Sequence, residues 1–85
     1  MMIVKVRHPQ LNGAMSSRVY LFATKRKLKE GDWVLVQTAN GKEATGLCVS
    51  DSMEVSKSVL DFLSYDAPWQ WPLSSVIGKM DRWEG

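Results

Sequence analysis

Four cations within five consecutive positions are the clearest candidate for chemistry in this sequence. Lys25, Arg26 and Lys27 are followed by Leu28 and Lys29. Lys and Arg side chains neutralise phosphate groups, so a run of this kind is typical of a nucleic-acid contact. A solvated loop, in which lysines keep the protein soluble, is the more frequent role of such a run. Nearby exposed aromatic side chains, which stack on bases, would favour nucleic-acid binding.

The rest of the positive charge also lies in the first half of the chain. Residues 1–42 carry eight basic and two acidic side chains, whereas residues 43–85 carry three basic and seven acidic ones. This asymmetry indicates a surface that binds polyanions or a partner of complementary charge. Tyr20, Phe22 and Trp33 are candidate stacking platforms if they are exposed. The predicted nucleic-acid contacts are Lys25, Arg26, Lys27, Lys29, Arg18, Lys5, Arg7 and Tyr20.

A second candidate surface is rich in tryptophan. Trp69 and Trp71 lie between Pro68 and Pro72, and Trp83 follows near the end of the sequence. Tryptophan is enriched at binding hot spots, and two rings at positions i and i+2 of an extended segment face the same way. The same rings are as well suited to cover a small core. The two alternatives are an interaction surface and a core cap.

Catalytic chemistry has little support in the sequence. His8 and Cys48 are the single histidine and the single cysteine, and they lie far apart in the chain. Metal sites need three or four ligands, and acid–base catalysis needs a positioned pair. No glycine-rich phosphate loop or nucleophile elbow is present. We therefore expect no enzyme activity, no metal, no cofactor and no small-molecule substrate.

The elements that position these residues are predicted to be mainly β. Alternating or β-rich runs predict strands at residues 3–7, 18–24, 33–37, 44–50 and 73–80. Asn40-Gly41 predicts a type I′ hairpin turn, which needs positive φ at both residues. Gly46 predicts a bulge or bend. We expect Cys48 to be a buried thiol in its strand.

One helix is predicted before the last strand. Val55, Val59, Phe62 and Leu63 recur at helical spacing. Asp51 and Glu54 resemble a capping box. The helix is predicted over residues 52–64, with its apolar stripe covering either Tyr20 and Phe22 or Trp33 and Leu35.

Size and composition indicate one small domain spanning residues 1–85. At this length a chain buries roughly 60–65% of its unfolded surface. A single cysteine allows no internal disulfide, which fits a reducing compartment. No stretch has the pattern of a signal peptide or a membrane span. We expect a cytoplasmic protein with no membrane partner.

The fold class predicted from these elements is a small five-stranded SH3-like barrel with one α-helix. Within it is the pattern Tyr20-x-Phe22, then Leu28-x-x-Gly31-Asp32-x-Val34-x-Val36-x-Thr38-x-x-Gly41, then Gly46. It resembles the small β-domain of polymerase-suppressor-type (PSP-like) bacterial proteins and the N-terminal DNA-binding barrel of the primosomal helicase. The resemblance covers residues 18–50. Short proteins of Gram-positive bacteria and their prophages are similar, and they end in a segment like residues 76–81.

The matching residues are turn glycines and core valines, so the resemblance implies a fold and transfers no functional residue. The sequence predicts a non-enzymatic module that binds nucleic acid weakly through its basic loop. The alternative is a protein–protein adaptor or homodimer, in a bacterial or prophage assembly, that uses Trp69, Trp71 and Trp83.

Overall fold

The computed structural model describes residues 1–38, 40–63 and 74–80. Within them the chain forms β1 (Met2–Arg7), β2 (Tyr20–Ala23), β3 (Trp33–Gln37), β4 (Glu43–Cys48), β5 (Met53–Glu54), α1 (Lys57–Leu63) and β6 (Val76–Met80). The prediction of a mainly β protein is confirmed. The five predicted strands correspond to β1–β4 and β6, and β5 is a strand that the sequence pattern does not reveal. None of the described residues forms a helix of the length and apolar character needed to cross a membrane.

The strands form one antiparallel sheet in the order β2-β1-β4-β3-β6. Strand β1 has three partners in this sheet. It pairs with β2 along one edge. Along the other edge it pairs first with β5, where Ile3 lies opposite Met53, and then with β4, where Val6 lies opposite Cys48.

Among residues 1–38, 40–63 and 74–80 the sheet does not close into a barrel, so the predicted five-stranded SH3-like closure is not confirmed. In this part of the chain one bridge, between Ala23 and Ser75 in parallel orientation, joins the end of β2 to the residue before β6. The Ala23 N–H donates to the Ser74 carbonyl at 2.9 Å. After Ala23 the chain leaves as the β2–β3 loop, so the pairing does not continue along β6.

Alternation along the strands produces two hydrophobic clusters on opposite faces of the sheet. The inner cluster consists of Val4, Val6, Phe22, Leu28, Val34, Val36 and Cys48. The outer cluster consists of Ile3, Leu21, Val55 and Leu60. Strand β2 therefore carries apolar side chains on both faces, with Phe22 in the inner cluster and Leu21 in the outer one. Cys48 is 1% exposed, as expected for a structural thiol.

The helix begins later in the chain than predicted. It begins at Lys57, because Met53 and Glu54 pair with β1 instead of entering the helix. The Ser56 hydroxyl, and not Asp51, accepts a hydrogen bond from the first turn, from the Val59 N–H at 3.4 Å. No capping box forms.

The predicted apolar stripe of the helix is also wrong. Val59 and Phe62 are 45% and 73% exposed, whereas Leu60 is 2% exposed and belongs to the outer cluster. The helix therefore packs on the outer face, over Ile3 and Leu21, and the buried contacts of Leu60 do not include Tyr20, Phe22, Trp33 or Leu35.

The β3–β4 hairpin forms where the sequence predicts it, but with another turn. The Thr38 N–H donates to the Lys42 carbonyl at 2.7 Å, and the Gly41 N–H donates to the Thr38 carbonyl. Gly41 has a φ of +81°, whereas Asn40 does not have a positive φ. The prediction of a type I′ turn is thus wrong, because only the glycine of the Asn40-Gly41 pair adopts the left-handed conformation.

Gly46 is required for close packing and does not form a bulge. It lies opposite Val34 in a regular part of the β3–β4 ladder. A Cβ atom at this position would lie 2.3 Å from Cγ1 of Val6, a distance that real Cβ atoms do not adopt. The irregularity in the sheet occurs elsewhere, between Leu35 and Val36 where β3 pairs with β6.

Candidate nucleic-acid interface

The β2–β3 loop, residues 24–32, contains the basic run, and its centre is attached to the rest of the fold. Leu28 is 2% exposed and packs in the inner cluster. The Leu28 N–H donates to the Ser52 hydroxyl at 2.9 Å, and the Ser52 N–H donates to the Leu28 carbonyl at 2.9 Å. Since Leu28 lies between Lys27 and Lys29, its burial forces both neighbours toward solvent.

The beginning of the loop is fixed by Thr24, which is buried at 7% exposure. Its hydroxyl accepts a hydrogen bond from the Arg26 N–H at 3.2 Å and donates one to the Arg26 carbonyl at 3.0 Å. This local turn is a common use of a threonine hydroxyl, which competes with the continuation of a strand. It ends β2 and starts the basic run.

The end of the loop is fixed by two carboxylates. Asp51 accepts from the Glu30 N–H and Asp32 accepts from the Lys29 N–H, each at 2.9 Å. Gly31 has a φ of +96°, in the region that favours glycine, and its N–H donates to the Cys48 carbonyl at 2.8 Å. The loop backbone is therefore bonded at its beginning, centre and end.

The four cations of the run, Lys25, Arg26, Lys27 and Lys29, are all exposed. Among the described residues, ion pairs form between the Met1 amino group and Glu54 and between Lys79 and Asp32. No cation of the run is paired with a carboxylate in this part of the chain. The side chains are thus available to an external anion, although Asp51 and Glu30 place negative charge nearby.

The other predicted cations do not join this loop. Lys5 and Arg7 lie on the outer face of β1, and Arg7 pairs with Leu47 of β4. Arg18 is exposed and precedes β2, whereas the basic run follows β2. Because β2 is antiparallel to β1, Arg18 lies toward the end of β1 and Lys25 toward its start. The structure separates the predicted site into two groups at opposite ends of β2.

The aromatic side chains are not gathered around the loop either. Tyr20 is half-buried on the inner face, with its ring centroid 5.1 Å from that of His8. Phe22 is 4% exposed in the inner cluster. Trp33 is half-buried on the outer face, opposite Leu47. Stacking by Tyr20 stays a prediction, and its position on the inner face separates it from Lys5 and Arg7.

A cleft that the sequence does not reveal lies beside the basic run. It opens where the chain after Ala23 diverges from β6, and its volume is about 660 Å³. We call it the seam cleft, and the described residues that line it are Met1, Met2, Ala23, Thr24, Lys25, Arg26, Ser75, Val76 and Ile77. Met1 and Ile77 are 45% and 49% exposed, so they present apolar surface there. The sequence gives one indication of this apolar surface. Val76 and Ile77 are neighbours in a strand, so only one of the two side chains can face the core.

The candidate catalytic residues serve structural contacts. His8 Nδ1 lies 2.9 Å from the Thr45 carbonyl oxygen, so this nitrogen carries the proton. Burial, reinforced by the Asp32 carboxylate and partly opposed by Lys79, raises the pKa of the Cys48 thiol from 9.0 to about 11. In the part of the chain that the structure describes, no three His, Cys, Asp or Glu side chains cluster in a way that could hold a metal ion.

The tryptophan surface falls outside the described residues, because Trp69, Trp71 and Trp83 belong to 64–73 and 81–85. The interaction and core interpretations of these residues both stay predictions. Comparison with known protein families, curated proteins and solved structures finds no match to this chain.

Proposed function

We propose that this chain is a non-enzymatic module that binds nucleic acid weakly, with no preference for sequence, through the four cations of the β2–β3 loop. One observation carries the proposal. The loop exposes Lys25, Arg26, Lys27 and Lys29 on a backbone that is bonded to the core, and no described carboxylate pairs with them. A solvated loop needs no such attachment, whereas a loop whose backbone is already fixed loses less conformational entropy on binding.

The sheet order and the resemblance of residues 18–50 support a further proposal about the fold. We regard the sheet as a variant of the SH3-like barrel in which the described residues of the last closure, between β2 and the segment that enters β6, form one bridge. We expect the fold of residues 18–50 to resemble that of the small β-domains of PSP-like proteins and of the primosomal helicase. Of these, the helicase barrel would give a DNA-binding context but no residue assignments.

The strength and salt dependence of binding follow from the number of cations. About four phosphate contacts on a single strand predict a slope near −3 in a plot of log affinity against log salt concentration. Binding in the micromolar range is expected at low salt, with loss of most affinity at physiological salt.

The test is fluorescence anisotropy of a labelled single-stranded oligonucleotide titrated with protein at several salt concentrations. Simultaneous replacement of Lys25, Arg26, Lys27 and Lys29 by Glu is expected to abolish binding, while circular dichroism shows that the fold is retained. Two single variants form a matched comparison: Lys27→Glu lies in the basic run, and Lys42→Glu, between β3 and β4, is the control. Both lysines are exposed. We expect Lys27→Glu to weaken binding more. A parent protein that does not bind at low salt, or a quadruple variant that binds like the parent, would refute the proposal.

A further inference from the structure

We propose that the seam cleft holds one unstacked nucleotide, so that the interface prefers a single strand to a duplex. This inference rests on the proposed function and adds the form of the nucleic acid that is bound. The cleft and the basic run are continuous, because Lys25 and Arg26 belong to both. A strand whose phosphates contact the loop therefore brings a neighbouring base to the cleft opening.

The lining of the cleft has the two components that a nucleotide requires. Lys25 and Arg26 provide positive charge for a phosphate. Met1 and Ile77 provide exposed apolar surface for the face of a base, at 45% and 49% exposure. A volume of about 660 Å³ lies within the range of pockets that bind compact organic molecules. A purely anionic ligand would satisfy the cations and leave the apolar side uncovered.

Electrostatics alone would give the opposite preference. A duplex carries a higher charge density than a single strand, and each phosphate contact releases more counterions from it, so a purely basic loop favours duplex at low salt. A base in a duplex is stacked and paired, and a few kcal/mol are required to flip it out. Only contacts to an unstacked base therefore turn the preference toward a single strand.

The test compares three nucleic acids of equal length by fluorescence anisotropy at one low salt concentration. They are a mixed-sequence single strand, its duplex, and an abasic single strand that has the same phosphates and no bases. The parent is expected to bind the single strand about fivefold more tightly than the abasic strand, and also more tightly than the duplex. The fivefold factor corresponds to burying part of an aliphatic side chain against a base.

The diagnostic variant is Ile77→Thr, which retains a β-branched residue in β6 and removes apolar surface from the cleft. It is expected to bind the normal single strand about fivefold more weakly and the abasic strand as the parent does. Its salt slope should equal that of the parent, since no charge changes. Leu11→Thr is the matched control, because Leu11 is fully exposed in the turn that follows β1.

The outcomes separate the two proposals. A parent that binds all three nucleic acids equally, with a slope near −3, retains the proposed function and overturns the cleft inference. Equal losses for Ile77→Thr on the normal and the abasic strands also overturn it. A parent that binds none of the three overturns both. Retention of parental affinity in Ile77→Val, together with the loss in Ile77→Thr, supports the inference.

Discussion

The inner and the outer hydrophobic clusters are built on opposite faces of β1, but they are completed in different ways. Val4 and Val6 face an inner cluster whose other members come from β2, β3, β4 and the basic loop. Ile3 faces an outer cluster that needs Leu60 of α1 and Val55, which precedes α1. The inner cluster is thus a property of the sheet, whereas the outer cluster depends on a seven-residue helix.

This difference between the two clusters separates the part of the core that the sheet forms by itself from the part that needs the helix. Isolated helices of this length are unstable in water, so α1 is held by the sheet and not by its own propensity. In turn, Ile3 and Leu21 are buried only where α1 covers them. Trp33 and Leu35, farther along the outer face, are half-buried. The helix covers one end of this face.

The largest effect is expected from Leu60→Ala, which removes the buried helix residue of the outer cluster. Leu60 is 2% exposed, and a truncation at such a site costs about 3 kcal/mol of unfolding free energy. Val59→Ala is the matched control on the same helix, and because Val59 is 45% exposed it should change stability by about 0.5 kcal/mol or less. Urea denaturation followed by circular dichroism measures both. Equal effects would mean that the outer cluster does not depend on Leu60.

The sequence reveals the inner cluster better than the outer one. Alternation along β1 and β2 correctly separates Val4 and Phe22 from Leu21, because side chains of a strand alternate between faces whatever covers them. The predicted apolar stripe through Val59 and Phe62 is wrong, because the spacing of apolar residues does not show where the helix begins. The pairing of Met53 and Glu54 with β1 moves the helix start and changes the residue that faces the sheet.

The candidate site also has one part that the sequence reveals and another part that it does not. The basic run is visible in the sequence, and so is Leu28, the apolar residue that interrupts it. Its anchors, Ser52 and Asp51, lie more than twenty residues farther along the chain, and no local pattern connects them to the loop. The seam cleft depends on where β6 diverges from β2, which is a tertiary property.

The next largest effect is expected from Gly46→Ala, which tests the packing of the inner cluster. The added Cβ atom would lie 2.3 Å from Cγ1 of Val6, and overpacking of this kind costs about 2–3 kcal/mol. Val6→Ala removes the clashing atom, so the double variant should be more stable than the sum of the two single changes predicts, by about 1 kcal/mol or more. Thermal and urea denaturation of all four proteins give the coupling. Additive losses would mean that the two positions do not share this space.

The third prediction concerns the pH dependence of the inner cluster. Burial raises the pKa of Cys48 to about 11 from 9.0, so the folded state keeps its proton while the unfolded state loses it. The stabilisation is complete below pH 9 and is lost as the pH rises toward 11. Between pH 8 and pH 10.5 the parent is expected to lose about 2 kcal/mol more than Cys48→Ala does. Urea denaturation at the two pH values measures this difference, and parallel pH profiles would show that Cys48 does not titrate in this way.

The three partners of β1 have a consequence for the order of assembly during synthesis. The β3–β4 hairpin is local and can form in microseconds. Strand β1 has to keep its edge unpaired until β4 and β5 have been made, since Val6 pairs with Cys48 and Met2 with Glu54. Translation at about 5–20 residues per second makes this a delay of seconds. The nascent chain therefore exposes Ile3, Val4 and Val6 for that time, and this strand is where a chaperone is expected to bind.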